Sequence, residues 1–97
     1  MNEQDQHMVV VVTTGNAIYC GYTSDHEDSP IIHLTDARQA VYYSADTQGL
    51  LGLAAHGPAK GSRIGPKVAR TAIRNVTQII ECSPEARRAW ENATWEA

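Results

Sequence analysis

Between residues 47 and 80 the chain carries Lys60, Arg63, Lys67, Arg70 and Arg74 and not one Asp or Glu. Five of the eight Lys and Arg therefore sit where no sequence neighbour neutralises them, in a chain whose 11 carboxylates leave it with a net charge of −3. Such a segment is suited to holding an anion. Its first cations lie in the loop His56-Gly57-Pro58-Ala59-Lys60-Gly61-Ser62-Arg63-Ile64-Gly65-Pro66. There, exposed backbone N–H groups can join an arginine fork and a lysine point charge around phosphate. The plainer reading of the same residues is a solvated basic face that balances acidic ends.

Catalysis would need a nucleophile, a base and an orienting group, and the candidates are Ser44, Ser62, His33, His56 and Asp36. No nucleophile-elbow pattern surrounds either serine, and nothing in the sequence sets a histidine beside one, so no enzyme is expected. His7, His26, His33 and His56 are scattered and the two cysteines are not spaced as a ligand pair, so neither a metal nor any other cofactor is expected. Gly57-Pro58-Ala59-Lys60-Gly61 has glycine and lysine but lacks the pattern of a phosphate loop opening a helix. What remains is recognition. Arg38 and Arg63 can fork onto phosphate oxygens, Lys60 adds a charge, and Tyr19, Tyr42 or Tyr43 can stack on a purine. His56, just before Gly57-Pro58, is either a turn residue or a further ligand contact.

The elements that must position these groups read as an α+β domain: a small antiparallel sheet with a C-terminal helix across one face, and a second short helix. Residues 1–7 are polar and form a disordered leader without the features of a signal peptide, leaving 8–97 as one domain. Residues 8–13 and 17–22 make a hairpin around Thr14-Gly15-Asn16. The acidic stretch 23–30 is a loop. A strand restarts at Ile31, and Asp36-Ala37-Arg38 bends or continues it into residues 39–45, where Tyr42 and Tyr43 must face opposite ways. Residues 49–57 read as a short helix ended by Gly57, or as a final stretch of sheet, with the helix favoured. Residues 67–73 and 76–82 are strands separated by a tight turn at Arg74-Asn75. Ser83-Pro84-Glu85 opens the clearest helix, with an N-cap acceptor, proline at the first position and a carboxylate at the positive end. Its Ala86, Ala89, Trp90 and Ala93 form one apolar stripe for the sheet, and Trp95 falls off that stripe, free to pack near the C-terminus or to meet another subunit. Cys20 and Cys82 read as free thiols in apolar surroundings.

The order of motifs carries a resemblance. Tyr19-Cys20-Gly21, Leu34-Thr35-Asp36-Ala37-Arg38-Gln39-Ala40-Val41-Tyr42-Tyr43, Gly49-Leu50-Leu51-Gly52-Leu53-Ala54, Gly57-Pro58, Ser62-Arg63-Ile64 and Cys82-Ser83-Pro84-Glu85-Ala86 with Trp90 follow one another in that sequence. The pattern resembles the first family of Thoeris anti-defence proteins of phages over nearly all of the chain after His7. The resemblance implies a sponge that binds cyclic ADP-ribose isomers, and in some members CBASS cyclic oligonucleotides, and holds them uncleaved. It also implies a homo-hexamer built from dimers, with pockets shared between subunits. Arg38-Gln39 matches that family's Arg-Met pair at the ligand, and Arg63 matches a Ser-Arg motif assigned to phosphate. Gln39 replaces methionine and His56 replaces the asparagine usual before Gly-Pro, so the preferred nucleotide need not carry over. The expected ligand-binding set is Arg38, Gln39, Tyr43, His56, Lys60 and Arg63.

Two other classes compete. Basic strands with tyrosines can bind single-stranded nucleic acid, although the net charge and the lack of a helix-turn-helix, zinc or RNP signature speak against a polynucleotide partner. A phage inhibitor working by direct protein contact would use Trp95 and the acidic loop. No apolar run is long enough to cross a bilayer, so no membrane partner is expected and the host cytoplasm is the expected compartment.

Overall fold

The computed structural model describes residues 6–95. Of the expected leader, residues 1–5 lie outside the described residues, and β1 (His7–Thr13) opens at His7. It is followed by β2 (Ile18–Thr23), β3 (Ile31–Tyr42), a 3-10 turn (Ala45–Thr47), α1 (Gly49–Ala55), β4 (Arg63–Ile64), β5 (Val68–Arg74), β6 (Val76–Glu81) and α2 (Pro84–Asn92). The strands form one antiparallel six-stranded sheet in the order β4-β3-β2-β1-β6, with β5 also on β3. The expected α+β class, hairpin, short helix and C-terminal helix are all present.

Asn75 does something other than make a hairpin turn. β5 and β6 do not pair with each other: Arg74 pairs with Ile31 of β3, while Val76 pairs with Thr13 of β1. Asn75, at φ 59°, is the single residue between them, and its carbonyl accepts from Thr14 N–H at 3.0 Å. The chain thus passes from one margin of the sheet to the other, which curls the sheet around its second face. This explains β1, whose Met8 to Val12 are all buried. Met8 and Val10 join Cys20, Ala40, Ile64, Leu53, Ala54, Ala86 and Trp90 under the helices. Val9 and Val11 pack with Ile32, Leu34, Ala37 and Ile73 inside the curl. Alternation sends successive side chains to opposite faces, so a strand buried on both sides must be apolar at every position.

β3 is one continuous strand of 12 residues. Its register against β2 slips by one between Thr35 and Arg38, and Asp36 takes φ 50°, so the anticipated bend is a bulge inside the strand. At its far end Tyr42 is exposed and Tyr43 packs partly against the helix-side cluster.

The helices lock on through local chemistry. Ser83 Oγ accepts from Ala86 N–H at 3.0 Å and donates to the Ala55 carbonyl at 2.7 Å, capping α2 and tying it to the end of α1. Fully buried Trp90 donates its indole N–H to the Leu53 carbonyl at 3.0 Å. Gly57, at φ 84°, lets α2 come close: a Cβ there would stand 2.4 Å from Ala89 Cβ. Tyr22 donates its hydroxyl to Glu91, and desolvation, then that bond, holds the phenol above its ordinary pKa.

Candidate ligand-binding groove

On the face away from the helices, the curl fills only part of the sheet. Beyond the end of β5, the strands β2 and β3 continue past the core of the curl, which Ala37 and Tyr19 border. Alternation puts Ala37, Gln39 and Val41 of β3 on this face together with Tyr19 of β2. They line a groove of about 390 Å³ whose other walls are Gly65, Pro66, Val68, Thr71 and Trp95, with Arg38 at its border. Val41, Val68 and Trp95 are 54%, 47% and 56% exposed, an unusual set for one small surface. Among the described residues no carboxylate lines the groove.

β4 builds the groove's edge. It is a strand of two residues, absent from the sequence reading, and exists because Ala40 and Tyr42 of β3 pair with Ile64 and Arg63. Ile64 is buried under the helices, so the adjacent Arg63 turns to the opposite face. Arg63 also forms an antiparallel bridge with Trp95, which brings the chain back from α2 to the sheet. The Arg63 guanidinium carbon stands 6.0 Å from the Tyr42 ring centroid, within cation–π reach.

Arg38 stands differently from what a phosphate fork requires. Its Nε donates to the Gly65 carbonyl at 2.9 Å and an Nη to the Trp90 carbonyl, near the end of α2, at 2.8 Å. A guanidinium there complements the negative helix end and joins β3, the β4 approach and α2. Desolvation lowers its pKa, although an arginine remains charged. Gln39 is exposed on the groove floor.

The other expected residues lie apart from this groove. Tyr43 borders a second depression with Val12, Asn16, Ile18 and Leu50. His56 is the C-cap of α1, with Nδ1 3.5 Å from Oε2 of Glu85 in the first turn of α2. Lys60 is exposed in the turn before β4. Arg70 and Arg74 are exposed on β5 opposite Thr35 and Ile31. The structure thus brings Arg38, Gln39 and Arg63 to one edge and leaves Tyr43, His56 and Lys60 elsewhere in the chain.

The loop from His56 to Pro66 is also less open than expected. Its Gly57, Ala59, Ser62 and Gly65 N–H groups donate to Gly52 O, Thr47 Oγ1, Ala59 O and Gln39 O, at 3.1, 3.0, 3.2 and 2.9 Å. These four donors hold the loop in place and are not turned to a phosphate. Ala37, Val41, Val68, Thr71 and Trp95 are groove residues that sequence reasoning missed as such; the available signal was that Trp95 falls off the apolar stripe of α2.

A second concavity, about 490 Å³, opens at the far end of the curl over Val9, Ile32 and Ile79, and is rimmed by His7, Asp25, His26, Glu27 and Glu81. Among the described residues no group of three or more His, Cys, Asp or Glu is arranged to hold a metal ion. Burial, then the neighbouring Cys82 thiol, push the Cys20 pKa far up, so Cys20 stays a thiol. No described helix is long and apolar enough to cross a membrane.

No curated protein and no solved structure matches this chain. A family model described as a domain of unknown function, DUF6948, matches residues 6–90. With that match covering most of its length, the chain belongs to the DUF6948 family.

Proposed function

We propose that this protein is a phage anti-defence sponge, which binds cyclic nucleotide immune signals in the host cytoplasm and keeps them intact. The ligands are cyclic ADP-ribose isomers, CBASS cyclic oligonucleotides, or both. The observation that carries the reading is the groove itself. It is a concavity with two aromatic walls and, among the described residues, no carboxylate in its lining, bordered by Arg38 and Gln39, with Arg63 on the adjoining edge strand. Aromatic and apolar surface suits a base, and a guanidinium suits phosphate. Sequestration needs tight reversible binding and no transition state to favour, so a catalytic set is not required.

In this reading the protein works as a homo-hexamer built from dimers. A groove open along one side is completed by a second subunit, and Tyr43, His56 and Lys60 reach ligand from a neighbouring protomer. Closed symmetric assembly is the usual way a small chain gains a deep pocket.

The test is to incubate the protein with a panel of cyclic nucleotides and TIR-enzyme products, follow thermal unfolding, and identify by mass what denaturation releases. A ligand at a hundred times its dissociation constant should add about 2.7 kcal/mol of stability and be recovered unchanged. No shift with any member of the panel would refute the sponge; recovery of a cleaved ligand would point to a phosphodiesterase.

Arg70 and Arg74, exposed on β5 away from the groove, favour a second reading as a single-strand-binding module. Salt separates the two: polynucleotide affinity should fall steeply with ionic strength, that of a pocketed ligand only modestly.

A further inference from the structure

We infer that the groove is a seat for a planar nitrogen heterocycle, with Trp95 as its stacking wall and the Gln39 carboxamide as the group that reads the ring's hydrogen-bonding edge. This deepens the nucleotide reading above and rests on it for the identity of the ligand. Three features of the groove favour such a ring over other occupants.

The first is how Trp95 is held. Its main chain is pinned by the bridge to Arg63, yet the residue is 56% exposed and lines the groove opposite residues of β2 and β3. A large apolar side chain kept in water on a fixed backbone is preorganised for a flat partner, because little conformational entropy remains to be lost on contact. Tyr19 presents a second aromatic surface in the same groove.

The second is polarity. An aliphatic chain would want an unbroken apolar lining, but Gln39 and Thr71 interrupt the walls. Gln39 lies between Ala37 and Val41 on one face of β3, so its side chain rises from the floor between apolar neighbours. A carboxamide offers one acceptor and two donors side by side, the complement of a heterocycle edge that carries both kinds of group.

The third is charge. Among the described residues no carboxylate lines the groove, and Arg38 and Arg63 stand at its margins. The far concavity is rimmed instead by Asp25, Glu27 and Glu81. A ring attached to phosphates is drawn to the first and repelled by the second. The volume of about 390 Å³ lies within the range of small-molecule sites.

The two tryptophans make the test direct, since Trp90 is fully buried and Trp95 is not. Adenosine and inosine, which carry the ring without phosphate, are titrated into the full-length protein alongside a cyclic dinucleotide, with tryptophan emission followed. Each should quench the exposed component, and Trp95→Phe should change that signal while the buried component of Trp90 stays constant. Trp95→Ala should weaken ligand binding about tenfold or more. Gln39→Glu, which leaves only acceptors, should shift preference towards adenosine, whose N7 edge carries an amino donor, and against inosine, whose N7 edge carries only acceptors.

If the cyclic dinucleotide binds while Trp95→Ala and Gln39→Glu leave affinity and preference unchanged, the ring seat is wrong and sequestration stands. If the nucleosides quench Trp95 but no cyclic nucleotide binds, the seat stands and the sponge falls. Burial of Trp95 with rising protein concentration, with no response to nucleosides, would show a contact between copies of the chain and overturn the inference.

Discussion

Trp90 and Trp95 lie five residues apart and end on opposite sides of the sheet. Trp90 is sealed between α1 and the strands, with its indole N–H on the Leu53 carbonyl; Trp95 lies on the other face, where it lines the groove and is more than half exposed. The helix side carries a finished core, from Met8 and Val10 through Ile64 to Ala86. The other side is finished only where β5 and β6 curl over it, around Ile32 and Leu34. The contrast separates stability from recognition: one face holds the fold, and the open remainder of the other is surface the fold does not need.

Paired substitutions put the largest strain on that comparison. Trp90→Ala leaves a cavity and an unpaired Leu53 carbonyl in the core, and should cost about 3–5 kcal/mol in urea unfolding. Trp95→Ala should change stability by less than about 0.5 kcal/mol, because its contribution to the sheet is made by the backbone. Similar losses from both would mean that the groove face is part of the core.

How much of this division was legible depends on whether each signal is local. The start of α2 was, because Ser83, Pro84 and Glu85 act on their own turn. The strand nature of β1 was too, but the reason for burial on both its faces lies at Asn75, more than sixty residues away in a chain of 97. There φ 59° looks like a hairpin turn in sequence and serves instead to carry the chain between sheet margins. Arg38 was singled out as a cation, yet its partners are the carbonyls of residues 65 and 90, and no side-chain pattern announces a carbonyl. The basic loop was misjudged for the same reason: its N–H groups find Thr47 and Gln39, which only the folded chain brings near. β4 is too short to have a periodicity at all.

Arg38 is where the two faces meet, so its removal sharpens the comparison. Arg38→Ala frees the Gly65 and Trp90 carbonyls from a charged donor and should cost about 2 kcal/mol of stability. Arg38→Lys should recover only part of it, since an ammonium lacks the planar fork that reaches both carbonyls. Arg63→Ala should weaken ligand binding at the groove edge. Full affinity in that variant would remove Arg63 from the site.

The smallest effect belongs to the far end of the open face, where Asp25 fastens the acidic loop to β3. Its Oδ2 accepts from His33 N–H at 2.8 Å and lies 3.0 Å from His33 Nδ1. The backbone bond from His33 is the main cause that holds the carboxyl below its ordinary pKa of 3.8, with the His33 ring and Arg70 adding to it against some desolvation. A folded-state pKa below the unfolded one means stability that is complete above about pH 4 and disappears as pH falls through the lower folded value. Because the pair is partly exposed, solvent screening limits it to about 0.5 kcal/mol. Urea midpoints of the wild type and Asp25→Asn should therefore differ by a small amount down to about pH 4 and converge below it. A gap that persists unchanged in strong acid would mean that the carboxylate charge is not what holds this loop, and that the acidic mouth, unlike the groove, owes nothing to electrostatics.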